Sequence, residues 1–112
     1  MNFYNINGVV IFTPKTLNAN EIVVKTEDQG EKHVPVALIN GNKLLIKVGE
    51  NPHPMTLEHH IEYVLVETDK NVYVNYLDPT KPAEATFTLL DVEKVLAVYS
   101  YCNLHGVFVK KF

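Results

Sequence analysis

Val34-Pro35-Val36-Ala37-Leu38-Ile39-Asn40-Gly41-Asn42-Lys43-Leu44-Leu45-Ile46-Lys47-Val48 consists of two apolar runs around a turn signal. Asn40-Gly41 tolerates the positive φ angles of a two-residue hairpin loop, so Val34–Ile39 and Lys43–Val48 are expected to pair antiparallel. Runs of the same kind recur at Val9–Phe12, Ile22–Lys25, Ile61–Glu67, Val72–Leu77, Ala85–Leu90, Val95–Tyr101 and Val107–Lys110. They are rich in Val, Ile, Tyr, Phe and Thr, which suit a pleated, half-buried surface. Turn-forming residues separate them, as in Thr68-Asp69-Lys70-Asn71 and Asp78-Pro79-Thr80-Lys81-Pro82. With short strands at regular spacing and no long helical period, the chain is expected to be all-β, an immunoglobulin-like antiparallel β-sandwich.

At 112 residues and 46% hydrophobic, the chain is near the commonest domain size and can bury one core without staples. A net charge of −3 provides no basic field for nucleic acid. No charged-then-apolar leader is present, and no apolar run approaches the ~18 residues of a membrane span, so neither secretion nor membrane insertion is expected. The single cysteine leaves no partner for an intrachain disulfide. That agrees with a reducing, cytoplasmic setting and keeps the thiol free for chemistry.

The chemistry is concentrated in three short clusters: His33 in Glu31-Lys32-His33-Val34-Pro35, His53 and His59 in His53-Pro54-Met55-Thr56-Leu57-Glu58-His59, and Cys102 with His105 in Cys102-Asn103-Leu104-His105-Gly106. These hold the only cysteine and all five histidines except His60. A single cysteine is usually a buried small hydrophobe, and an isolated histidine is usually a satisfied loop or strand residue. Here the only cysteine stands three residues before a histidine, with further histidines upstream. The pattern points to one mononuclear metal site of four imidazoles and one thiolate. His60 is set aside, because adjacent strand residues face opposite ways and His59 takes the inward position.

The ordered set of motifs resembles the superoxide reductases, also called neelaredoxins or one-iron desulfoferrodoxin-type proteins, whose catalytic domain carries Glu-Lys-His-Val-Pro, His-Pro-Met-x-x-x-His and Cys-Asn-x-His-Gly. The resemblance spans about residues 29 to 108 and implies the sandwich fold for residues 29–112. It implies one iron per chain, held by His33, His53, His59, His105 and Cys102, with superoxide reduced by one electron and two protons to hydrogen peroxide and no dioxygen formed. It further implies Glu31 as a sixth ligand of the ferric state, a donor such as rubredoxin, and a homo-oligomer, often a tetramer. In two-centre relatives the N-terminal region binds a second iron through four cysteines, but Met1–Asp28 has none. That segment, without metal ligands, is either the remnant of a desulforedoxin-like domain or an added strand packed on the sandwich or on a neighbouring subunit. Val107-Phe108 and Tyr63 stand where relatives often have tryptophan, a departure expected to affect packing.

Imidazoles suit iron and other mid-series metals, and a thiolate adds a soft, strongly donating ligand. Four imidazoles in a plane with Cys102 on the axis would leave the position opposite the sulfur open to a small anion. Backbone N–H groups of Asn103 and Leu104 are expected to point at the sulfur and temper its basicity. Gly106 allows a sharp turn beside His105. Lys32 would attract an anion despite the negative net charge. Tyr99 and Tyr101 alternate with Val98 and Ser100 and are assigned to packing. Two other classes are weaker fits. A blue-copper site uses two His, one Cys and usually a following Met, and no methionine follows Cys102. A structural zinc site closes with four ligands, and here there are five.

Overall fold

A computed structural model describes residues 1–26, 33–49 and 53–112. Among these, the strands in chain order are β1 (Asn2–Ile6), β2 (Val9–Thr13), β3 (Asn20–Glu21), β4 (Pro35–Asn40), β5 (Lys43–Val48), β6 (Ile61–Thr68), β7 (Val72–Tyr76), β8 (Glu84–Thr88), β9 (Val95–Cys102) and β10 (Gly106–Lys111). They form three antiparallel sheets with the orders β2-β1-β3, β10-β9-β6-β7 and β4-β5-β8. The last two face each other as the sandwich. Connections β5 to β6 and β8 to β9 cross between them, which is the Greek-key, immunoglobulin-like arrangement. No helix among the described residues is long and apolar enough to cross a membrane.

The sandwich follows from alternation. On β5, Leu44, Ile46 and Val48 point inward, and on β8 Ala85 and Phe87 do the same. They meet Val64 and Val66 of β6 and Val98 and Cys102 of β9. Full burial of each large aliphatic side chain contributes about 1.5–3 kcal/mol, so this layer is a major source of stability. On the other face of the four-stranded sheet, Tyr63, Leu65, Ala97, Tyr99, Val107 and Val109 form a second cluster with Phe3. Phe12, Val10, Ile22 and Val24 pack against it. Hence β6 and β9 are central strands covered on both faces, and their sequences are apolar almost throughout, not only at every second residue. The role assigned to Tyr99 fits this second layer.

Three details differ from the sequence expectation. In the first hairpin the loop is Gly41-Asn42, because Asn40 pairs with Lys43. Of that loop only Gly41 has positive φ, at 63°, so the geometry is that of a turn with glycine at its first central position. Ile22–Lys25 forms no strand. Its side chains do alternate, with Val23 exposed between Ile22 and Val24, yet backbone pairing is confined to Ile22 N–H on the Phe3 carbonyl and an isolated parallel bridge from Lys25 to Phe108. The strand β1 was not separated from the N-terminal run by its sequence. It pairs with β2 through Asn7-Gly8, whose φ values of 51° and 82° suit a two-residue hairpin loop.

The end of the sandwich where β6 finishes is closed by Glu93. Its carboxylate accepts hydrogen bonds from the Thr68 hydroxyl, the Tyr73 hydroxyl at 2.6 Å, the Leu90 amide at 2.9 Å and the Asn71 side-chain amide at 3.0 Å. Desolvation works against the charge, but these donors outweigh it and hold the carboxyl at about 2 instead of 4.5. A carboxyl depressed in the fold stabilises fully above its unfolded value, and that contribution is lost as pH falls from 4.5 towards 2. Urea denaturation measured across that interval should show stability falling for the parent protein. Glu93→Gln should be less stable at neutral pH and show a flatter response below pH 4.5.

Candidate metal centre

His33, His53, His59, Cys102 and His105 offer one ligand atom each, and these five atoms lie within 4.8 Å of one another. They arrive from three stretches of the chain. Cys102 ends β9, where it pairs with Ile61 across to β6 and with Gly106 across to β10. The Asn103-Leu104-His105 loop then turns back into β10 with Gly106 at φ 87°, a conformation a side chain would resist. His33 lies just before β4, and its carbonyl accepts the hydroxyl of Ser100, a buried residue of β9. His53 and His59 lie in the irregular connection between β5 and β6, where the Thr56 hydroxyl binds the His59 amide at 3.1 Å.

The four imidazole rings close into a cycle. Neighbouring centroids are 4.6 Å apart for His33–His53, 4.7 Å for His53–His59, 5.0 Å for His59–His105 and 4.8 Å for His105–His33. Each neighbouring pair is edge-on, at 69° to 81°. The His33–His59 diagonal is longer, 6.4 Å, as it must be in a near-square. Cys102 Sγ lies 3.7 Å from His105 Nδ1. The sulfur is fully buried while His105 is exposed, so the cluster is sealed on the thiol side and reaches solvent at the histidine edge.

The donors are poised as lone pairs. His53 Nδ1 is 2.7 Å from the Pro54 carbonyl; since a carbonyl only accepts, Nδ1 carries the proton and Nε2 keeps its lone pair. His59 Nε2 is buried with no hydrogen-bond partner among the described residues. His33 Nε2 and His105 Nδ1 face each other at 3.0 Å, a contact that needs a proton or a cation shared between two basic nitrogens. Burial, followed by the charges of His53, His105, His59 and Lys25, holds His33 down at about 4, so its ring is neutral at pH 7. A neutral imidazole is the form that binds metal. Converging nitrogen lone pairs, one of them buried and unsatisfied, with a thiol beside them fit a metal ion.

The five histidine and cysteine residues singled out by sequence are therefore brought together. His60 is not part of the cluster. Glu31 and Lys32 lie outside the described residues. One expectation is corrected. The Asn103 amide donates to the His60 carbonyl at 3.2 Å and not to the sulfur. The Asn103 side chain continues that clasp, accepting from His60 N–H at 3.0 Å and donating to the Glu58 carbonyl at 2.9 Å. It thereby ties both neighbours of His59 to the residue after Cys102. Phe108, read as packing, stacks on His33 at 4.6 Å and 18° and so borders the cluster. The signal for Ser100 was a hydroxyl on the same inward face as Val98 and Cys102; Phe108 and the Asn103 clasp had none, because both act across the chain.

The Desulfoferrodoxin family model matches residues 25–111. This chain belongs to the desulfoferrodoxin family. A desulfoferrodoxin homolog from Archaeoglobus fulgidus is 44% identical over 76% of this chain and 67% of its own length. A superoxide reductase from Thermococcus kodakarensis is 34% identical over 76% of this chain and 90% of its own length. The crystal structure of the superoxide reductase from Treponema pallidum superposes with a TM-score of 0.85 at 30% identity, covering 99% of each chain. That last likeness extends beyond the family match and takes in the β2-β1-β3 sheet. Within the family, the cluster of four imidazoles and one thiol fits an iron site of four histidines and one cysteine.

The Asn103 clasp is open to test. Asn103→Ala removes the side-chain bonds to the His60 N–H and the Glu58 carbonyl and loosens the His59 loop, while the backbone bond to the His60 carbonyl and every cluster donor stay in place. Metal affinity, measured by cobalt(II) competition with a chelator, should fall by about 10–100-fold, the usual cost of losing a group that orients a ligand.

Proposed function

We propose that the chain is an enzyme, a superoxide reductase, that delivers one electron to superoxide and, with two protons, releases hydrogen peroxide. The single observation that carries this is the near-square of four imidazoles with the Cys102 thiol buried beside it. His33, His53, His59, His105 and Cys102 would hold one iron ion per chain. Iron bound there supplies the electron to superoxide and takes one back from an external donor.

The chain's own groups set the conditions. Neutral imidazoles add no charge to the ion, and the Cys102 thiolate donates electron density strongly. Burial keeps water from the sulfur, whereas the exposed edge at His105 admits a small anion. Lys32 attracts that anion, and Glu31 would hold the oxidised ion as a further ligand after product has left. A small one-electron redox protein of the rubredoxin kind is the proposed donor, and a homo-oligomer, as large as a tetramer, the proposed assembly. The reaction removes superoxide without regenerating dioxygen, a role suited to defence against oxidative stress in the cytoplasm.

Loading the chain with iron tests the reading. One iron per chain, a red charge-transfer band in the oxidised form, and peroxide without the dioxygen of a dismutase are expected; two irons, or equal yields of dioxygen and peroxide, would overturn it. A colourless zinc protein or an intense copper-thiolate band would assign the cluster otherwise. Cys102→Ser should lose both the red band and turnover even where the imidazoles still retain some iron.

Glu31 and Lys32 act at different moments. Lys32→Ala should slow the second-order reaction with superoxide by about 10-fold at low salt and flatten its ionic-strength dependence. Glu31→Ala should leave that rate nearly unchanged while shifting the ferric absorption and opening the site to azide. Pulse radiolysis on both variants separates the two roles.

A further inference from the structure

Lys25 belongs to none of the three motifs, yet it lies against the cluster. Its backbone is pinned to β10, with its amide on the Val107 carbonyl at 2.9 Å and its carbonyl accepting from Val109 at 2.9 Å. Its ammonium donates to the His105 carbonyl at 2.8 Å. The same nitrogen lies 5.2 Å from the centroid of the Phe108 ring, and Phe108 stacks on His33. One cation therefore holds the backbone of one cluster histidine and caps the ring that backs another.

We propose that Lys25 is a positioning residue that raises the reduction potential and the anion affinity of the metal centre, an inference that rests on the iron reading above. The physical reason is charge. A fixed positive charge favours whichever state of a nearby ion carries more electrons, so it stabilises the reduced over the oxidised form. The same charge raises the local concentration of anions at the exposed His105 edge. Two ordered contacts, one to a carbonyl and one to an aromatic face, keep the ammonium in one place, unlike a lysine free in solvent.

The test compares iron-loaded Lys25→Met, Lys25→Arg and Lys25→Glu with the parent chain, reading the midpoint potential by spectroelectrochemistry and azide binding to the ferric protein. Lys25→Met should lower the potential and weaken azide binding by about 10-fold at low salt, and Lys25→Glu should go further in both. Lys25→Arg should stay near the parent. Raising the salt should shrink all these differences. An unchanged potential and azide affinity in Lys25→Met and Lys25→Glu would overturn the inference while leaving the iron reading intact, as would differences that persist undiminished at high salt, which mark a purely structural role. A parent chain that forms no thiolate-bound iron would overturn both.

Discussion

The pairing of β6 with β9 is the constraint on which the molecule depends. These two eight-residue strands form the middle of the four-stranded sheet, and both faces of that sheet are covered. Inward from it lies the sandwich core of Leu44, Ile46 and Val48; outward lies the layer of Phe3, Tyr63 and Tyr99. The register that sets Ile61 opposite Cys102 also sets the end of the sheet where the cluster forms. A slip of one residue would turn Cys102 to the outer layer and bring Tyr101 into the core. Register is strongly held here because the two faces carry side chains of very different size.

The cluster is built by loops that are each tied to this sheet. Ser100 binds the His33 carbonyl, Asn103 clasps Glu58 and His60, and Gly106 returns the chain after His105. The His33, His59 and His105 loops are thus held to the same strand end from which the thiol projects. Four basic rings packed this closely would repel one another if protonated, so the fold favours neutral nitrogens. Neutral donors converging around a buried thiol are prepared for a cation before one arrives, which lowers the reorganisation needed on binding.

The N-terminal sheet has a double consequence. By covering the outer face of β6 and β9 it buries Tyr63 and Leu65, which in an ordinary sandwich would face solvent. Its exit then runs through Ile22 and Val24 on that same face and delivers Lys25 to β10 beside His105. A segment with no histidine or cysteine of its own thus places a positive charge against the centre.

The amino-acid sequence by itself determined the all-β class, the antiparallel hairpin of β4 and β5, and the identity of the five clustered donors, because each rests on local pattern: alternation, turn chemistry, and histidine and cysteine at short spacing. It also separated His59 from His60, although both lie ahead of β6, where the strand alternation invoked for that choice does not operate. It placed the first hairpin turn one residue early, since Asn40-Gly41 and Gly41-Asn42 offer glycine equally and only pairing with Lys43 chooses between them. It assigned a strand to Ile22–Lys25, because alternation reports which face is buried and not whether a neighbouring backbone is within reach. Only tertiary structure decided that Asn103 serves His60 and Glu58 instead of the sulfur, that Phe108 backs His33, and that Lys25 meets His105. Those contacts join residues up to 80 positions apart, where no local pattern records them, and they exist only once β6, β9 and β10 have fixed the end of the sheet in space.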